Sequence, residues 1–173
     1  ATEDNSHLDR DYADNYVKAK QAGLTVGTYH FYRFAMDGKQ QAQHFINTAK
    51  VRSGDLIPAI DVEHSNLNRK SNDEKYIQKV VDELLVLENE LYMHYEVRPI
   101  IYTNKSCYKL YIEENFPHNL IWMCDLHKEP ALENDKWIIW QFSHTGKIVG
   151  IDKDVDLNYF RYSFRKFNEL LMH

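Results

Sequence analysis

Leu56-Ile57-Pro58-Ala59-Ile60-Asp61-Val62-Glu63-His64-Ser65 is an apolar run that stops abruptly at two carboxylates two residues apart. A short, nearly continuous apolar run bounded by polar residues reads as a buried parallel strand. Side chains at i and i+2 of a strand share a face, so Asp61 and Glu63 are expected to point the same way. At a rise of about 3.3 Å per residue their Cα atoms lie roughly 6.6 Å apart. Two carboxyl groups so placed can flank a glycosidic bond and divide the acid and charge-stabilising roles. An Asp-x-Glu at a strand end also serves as a cap or an ion-pair partner, so the pair alone does not decide the chemistry. Pro58 cannot donate to a ladder and fits only near the start of the strand.

Outward from this run, strand and helix patterns alternate. Residues 9–22 have helical spacing and stop at Gly23, a natural C-terminal cap. Residues 24–31 read as a strand, 38–51 as a helix and 56–62 as the strand just described. Residues 73–92 are the clearest helix, with a wide apolar face that includes Ile77, Val80, Val81, Leu84, Leu87 and Leu91. A strand at 97–102, a helical segment at 105–114, strands at 120–124, 136–142 and 154–157, and a closing helix at 159–171 complete the series. This order points to an α/β fold with a parallel sheet, open or closed. No strand is read ahead of the first helix, which leaves six where a closed parallel barrel has eight in about 250 residues.

The 173 residues, 43% of them hydrophobic, are expected to form one domain over 1–173 with an adequate core. No run reaches membrane-spanning length and no basic-then-apolar leader opens the chain. With 21 Lys and Arg against 26 Asp and Glu, the net charge is −5, which argues against a nucleic-acid partner. Cys107 and Cys124 have neither CxxC nor zinc-type spacing and could form one disulfide or stay as buried thiols. The 12 Tyr, 8 Phe and 3 Trp supply flat amphipathic faces suited to sugar rings as well as to a core.

Functional residues of barrels gather at the C-terminal ends of strands. Those ends are Tyr29-His30-Phe31, Asp61-Val62-Glu63, Tyr102-Thr103-Asn104, Trp122-Met123-Cys124-Asp125, Trp140-Gln141-Phe142 and Asp156-Leu157-Asn158. The ordered series Ala1-Thr2-Glu3, Ala22-Gly23-Leu24-Thr25-Val26-Gly27-Thr28-Tyr29-His30-Phe31, Asp61-Val62-Glu63, Trp140-Gln141-Phe142-Ser143-His144-Thr145-Gly146-Lys147 and Val155-Asp156-Leu157-Asn158 resembles glycoside hydrolase family 25. Those are the Chalaropsis-type lysozymes, or N-acetylmuramidases, and the resemblance covers essentially the whole chain.

The resemblance implies a modified (β/α) TIM-like barrel that cleaves the β-1,4 bond between N-acetylmuramic acid and N-acetylglucosamine in peptidoglycan. Glu63 matches the general acid. Asp61 matches its partner in a retaining mechanism, steadying the substrate's acetamido group, and Asp156 matches the acid of the terminal Asp-x-Asn motif. Tyr29, Tyr102, Trp122 and Gln141 fall where the family lines its cleft, and Trp122 and Trp140 are candidate stacking platforms. The implied partners are peptidoglycan glycan strands, met outside the cell or in the periplasm by a monomer with no cofactor and no metal. Family members begin with a strand carrying another active-site Asp and a second strand. This chain starts after them, so the barrel is expected to be incomplete at its N-terminus. Asp125-Leu126-His127 also departs from the family, which leaves the contacts there open.

Competing readings attach to several of these residues. A carboxyl walled by aromatics loses hydration, which raises its pKa towards that of a proton donor, and an ionised Asp61 would push Glu63 the same way. Asp156 could instead cap the final helix. His30 and His64 flank the acids and could join them in a metal site, the basis of an alternative metal-dependent hydrolase. A glycan-binding or inactive remnant of the same fold is the other alternative. Trp137 reads as packing, and Asn104-Lys105-Ser106 as a chance glycosylation triplet.

Overall fold

The computed structural model describes residues 1–132 and 136–173. Its strands are β1 (Thr2–Glu3), β2 (His7–Leu8), β3 (Tyr29–Phe31), β4 (Ala59–Val62), β5 (Ile100–Asn104), β6 (Ile121–Cys124), β7 (Trp137–Gly146) and β8 (Val155–Phe160). The helices are α1 (Tyr12–Gln21), α2 (Gly38–Thr48), α3 (Glu74–Tyr95), α4 (Lys105–Cys107) and α5 (Phe164–Asn168). A π-helical turn, Tyr108–Ile112, continues α4. All eight strands belong to one sheet in the order β2-β1-β3-β4-β5-β6-β7-β8. Its middle is parallel from β1 to β7, and the edge strands β2 and β8 are antiparallel to their neighbours.

The α/β class is as expected, but the sheet is open, and β2 and β8 are its edges. Two strands precede α1 where the sequence pattern showed none. Each is two residues long, too short to display a period-2 alternation. Because β1 pairs with β3, β3 is not the edge that the six-strand count implied. The strand expected over 24–31 contracts to its last three residues. Gly23 turns the chain at φ +76°, and beyond it Val26 and Thr28 only accept from Leu56 and Ala59, at 2.8 and 3.1 Å. At the other end, β8 runs to Phe160 because Tyr159 and Phe160 pair with Trp140 and Ile139. The last helix therefore starts late, capped by Ser163, whose Oγ accepts from the Lys166 N–H. Asp156 lies within β8 and caps nothing.

Two apolar clusters hold the sheet. On its helical face, α3 buries Val80, Val81, Leu84, Leu87 and Leu91 against Ile60, Val62 and Ile101. Asp73 caps α3 by accepting from the Lys75 N–H at 3.0 Å. Ile57, Ala59, Ile100, Ile138, Ile139 and Leu170 form a second cluster near the strand starts. The end of the chain seals it: Ile57 N–H donates to Leu170 O and Met172 N–H to Asp55 O, at 2.8 and 2.7 Å.

The α2–α3 contact is the tightest of the helical layer. A Cβ added to Gly38 would stand 2.0 Å from the Glu83 carbonyl oxygen. The Gly38 N–H meanwhile donates to Glu83 Oε2 at 2.8 Å. Gly38→Ala is therefore expected to force α2 away from α3 and to destabilise the fold by about 1–3 kcal/mol, the usual cost of overpacking. Chemical denaturation measures this as a lower midpoint.

Candidate active site

Alternation along the strands and parallel register between them decide which side chains meet. Asp61 lies opposite Phe31 on one side and Tyr102 on the other. Tyr102 lies opposite Trp122, Cys124 opposite Gln141, and Gln141 opposite Asn158. Steps of two residues add Tyr29, Ala59, Glu63 and Asp156 to the same face. Tyr29, Ala59, Asp61, Glu63, Tyr102, Trp122, Gln141 and Asp156 line one cavity of about 260 Å³ at the C-terminal end of the sheet. Ala59 gives it an apolar floor shared with the cluster below.

Trp140 is the sequence candidate that falls outside this cavity. It is adjacent to Gln141 on a regular strand, so the two point to opposite faces. Trp140 packs against the helical-side core, and its indole N–H donates to Asp125 O at 2.7 Å. Trp137 is buried in the same core, as expected of packing.

Asp61 is only 9% exposed, and its Oδ1 is buried without a hydrogen-bond partner. Burial, reinforced by the neighbouring Glu63 charge, pushes its pKa up to about 8. Glu63 is also raised, first by burial and then by Asp156. The expectation that an ionised Asp61 raises Glu63 thus changes: Asp61 is the deeper and more strongly shifted carboxyl, and the charge that raises Glu63 is that of Asp156.

The backbone that carries Glu63 is set by Asn68, a fully buried residue that pattern reading missed. Its Nδ2 donates to Tyr32 O (2.7 Å) and Glu63 O (3.2 Å), and its Oδ1 accepts from the Phe34 N–H (3.0 Å). Ser65 Oγ accepts from the Leu67 and Asn68 N–H groups, which folds the turn that delivers Asn68. The aromatic wall is fixed as well. Tyr102 and Trp122 meet edge to face at 5.4 Å, and the Trp122 indole N–H donates to Asn158 Oδ1 at 2.8 Å. The Tyr102 hydroxyl is hydrogen-bonded to Cys124, and burial raises its pKa strongly.

The histidines beside the acids are engaged elsewhere. Gln41 Nε2 donates to Arg33 O and Met36 O, which leaves its Oε1 to accept from His30 Nε2 at 3.1 Å. His30 Nδ1 then accepts from the Thr2 hydroxyl at 2.8 Å. Burial holds His30 near pKa 4, so it is neutral. It also stands on the face opposite Asp61. His64 Nδ1 lies 3.3 Å from the Cys107 sulfur, and its ring packs against Phe34 and Tyr111. Among the described residues no group of three or more His, Cys, Asp or Glu is placed to hold a metal ion. Both cysteines are free thiols, which resolves the choice that spacing left open.

Comparison with known proteins shows the family and the fold. The model of the family described as glycosyl hydrolases family 25 matches residues 1–151. A solved family 25 glycosyl hydrolase from Bacillus anthracis is 34% identical, with a TM-score of 0.90, over 99% of this chain and 80% of that one. An autolytic lysozyme from Clostridium acetobutylicum is 29% identical over 160 residues, 92% of this chain and 47% of its own. A solved bacterial lysozyme from Streptomyces coelicolor shares the fold at a TM-score of 0.86 and 23% identity, over 99% of this chain and 83% of that one. The chain spans about half the length of the curated relatives it matches. It belongs to glycosyl hydrolases family 25.

The buried carboxyl makes a stability prediction. Asp61 binds its proton more tightly folded (about 8) than unfolded (ordinary value 3.8), so its contribution to folding falls as pH rises through that window. Asp61→Asn removes the ionisation. Its stability relative to the parent is expected to rise between pH 4 and pH 8, by on the order of 5 kcal/mol. Urea denaturation at the two pH values measures it, and a parallel pair of curves would contradict the burial of this carboxyl.

Proposed function

We propose that this member of glycosyl hydrolases family 25 hydrolyses the β-1,4 bond between N-acetylmuramic acid and N-acetylglucosamine in peptidoglycan, with retention, residues 1–173 acting as one catalytic domain. The carrying observation is the cavity that gathers Asp61, Glu63 and Asp156 between the walls formed by Tyr29, Tyr102 and Trp122. Family membership supports the same reading. The lysozyme names of relatives support a cell-wall substrate, met outside the cell or in the periplasm.

In the proposed reaction Glu63 protonates the glycosidic oxygen as the bond breaks. The acetamido oxygen of the muramyl ring attacks the anomeric carbon, and Glu63, now a carboxylate, deprotonates the water that opens the resulting ring. Inversion twice gives retention. Asp61 and Glu63 titrate as a coupled pair, and burial and mutual repulsion keep a proton between them. The unpartnered Asp61 Oδ1 is the acceptor that a substrate amide N–H would complete. That hydrogen bond favours the ionised form of Asp61 and leaves the proton with Glu63, where the leaving oxygen needs it. Asp156, exposed at the mouth, sets a third carboxyl group beside the developing oxocarbenium centre.

Two measurements test this reading. Glu63→Gln keeps the shape but cannot donate a proton, so release of reducing ends from purified cell walls is expected to fall by about 10²–10⁴ with the fold intact. Retention of more than about a tenth of the parent rate would remove Glu63 from the role. A parent chain that binds walls and releases no reducing ends would be the glycan-binding form.

Activity is also expected to survive dialysis against a strong chelator. Loss that a divalent ion restores would instead favour the metal-dependent hydrolase.

A further inference from the structure

Beside the catalytic cavity, at the C-terminal ends of β5 and β6, lies a second hollow of about 410 Å³. Asn104, Lys105 and Ser106 form one side, and the loop from Cys124 to Lys128 forms the other. One side-chain contact separates the two spaces: Tyr102 lines the catalytic cavity, Cys124 lines the hollow, and they are hydrogen-bonded to each other. A glycan strand bound across the strand ends would pass from one to the other.

The two spaces carry opposite charge. The catalytic cavity holds three carboxyl groups. The hollow holds Lys105, Lys128 and His127 against one carboxylate, Asp125. Asp125 Oδ1 accepts from the backbone N–H groups of His127 (3.0 Å) and Lys128 (3.3 Å), which turns that charge onto its own loop. Lys105 and Lys128 also border a smaller neighbouring hollow, where Lys109 is already paired with Glu113 at 3.7 Å. Neither Lys105 nor Lys128 has a carboxylate within ion-pair distance among the described residues.

We propose that this hollow is a subsite for the carboxylates of the stem peptide that hangs from the muramyl lactyl group. The proposal rests on the peptidoglycan reading above. With the lactyl carboxyl held in its amide to the peptide, the glycan itself is uncharged, and the acidic groups of the substrate are on its peptide substituent. A chain of net charge −5 with an acidic cavity repels that substituent unless cations stand where it falls. Two ammonium groups on flexible stems suit a peptide carboxylate, because a point charge makes no demand for planar, bidentate geometry. Asp125-Leu126-His127, where the sequence departs from the family pattern, is the loop that builds the hollow.

The test compares two soluble glycans free of teichoic acid: strands bearing stem peptides, and the same strands after an amidase has removed them and the lactyl carboxyl that this frees has been capped as its methylamide. The parent chain and Lys105→Gln/Lys128→Gln are assayed on both by reducing-end release. The variant is expected to lose about three- to tenfold in kcat/KM on the peptide-bearing strands, mainly through KM, as befits two exposed charge contacts. On stripped strands it should stay within about twofold of the parent, and added salt should shrink the difference on the first substrate only. Equal loss on both substrates, or no loss on the first, overturns the subsite while the proposed hydrolysis stands. If the parent cleaves neither glycan, the proposed hydrolysis falls and takes the subsite with it.

Discussion

The catalytic end of the molecule depends on how β4 stops. All four of its residues are buried, all four pair with β5 and the first three with β3, so its end leaves peptide groups where water cannot reach them. The Asn68 carboxamide fills that gap by tying the Tyr32 and Glu63 carbonyls and the Phe34 N–H together. The Tyr32 N–H in turn donates to Asp61 O at 3.0 Å. Asp61 is thus fixed by the ladder itself, and Glu63, one step past Val62, by a side chain folded back from the following turn. A buried amide that lost these partners would leave several polar groups unpaired, each costing about 1–3 kcal/mol.

This division explains what the sequence made legible. Asp61 and Glu63 could be placed on one face because β4 is regular where Asp61 sits and departs from it only beyond Val62. The same alternation, applied to Trp140 and Gln141, admits only Gln141 to the cavity, a distinction that residue type alone does not make. Asn68 gave no signal, because its partners in space lie up to 36 positions away and an Asn in a turn is ordinary. The strands Thr2–Glu3 and His7–Leu8 were invisible for a different reason: two residues carry no period. The length of β8 was hidden by the aromatic spacing of Tyr159, Phe160 and Tyr162, which reads as helix until pairing with β7 decides otherwise.

The carboxyl pair also sets a conflict between folding and the proposed chemistry. An Asp with an unpartnered buried oxygen is unfavourable in the free protein, and its raised pKa measures that cost in the ionised state. Surrounding structure tolerates it because the apolar clusters above and below β4 are otherwise well satisfied. His30, on the opposite face, shows the contrary solution: burial also shifts its pKa, but both ring nitrogens are partnered.

The aromatic wall follows the same logic. The polar tip of Trp122 is taken by Asn158 and that of Tyr102 by Cys124. With these tips committed inside the protein, the wall offers ring surface to an occupant. On the carboxyl side, Asp61 Oδ1 is a buried acceptor without a partner. A pyranose has a C–H face and a polar edge, and a cavity divided in this way can hold it in one orientation by stacking the first while it hydrogen-bonds the second. The reacting bond would then be aligned by the shape of the wall, before any proton moves.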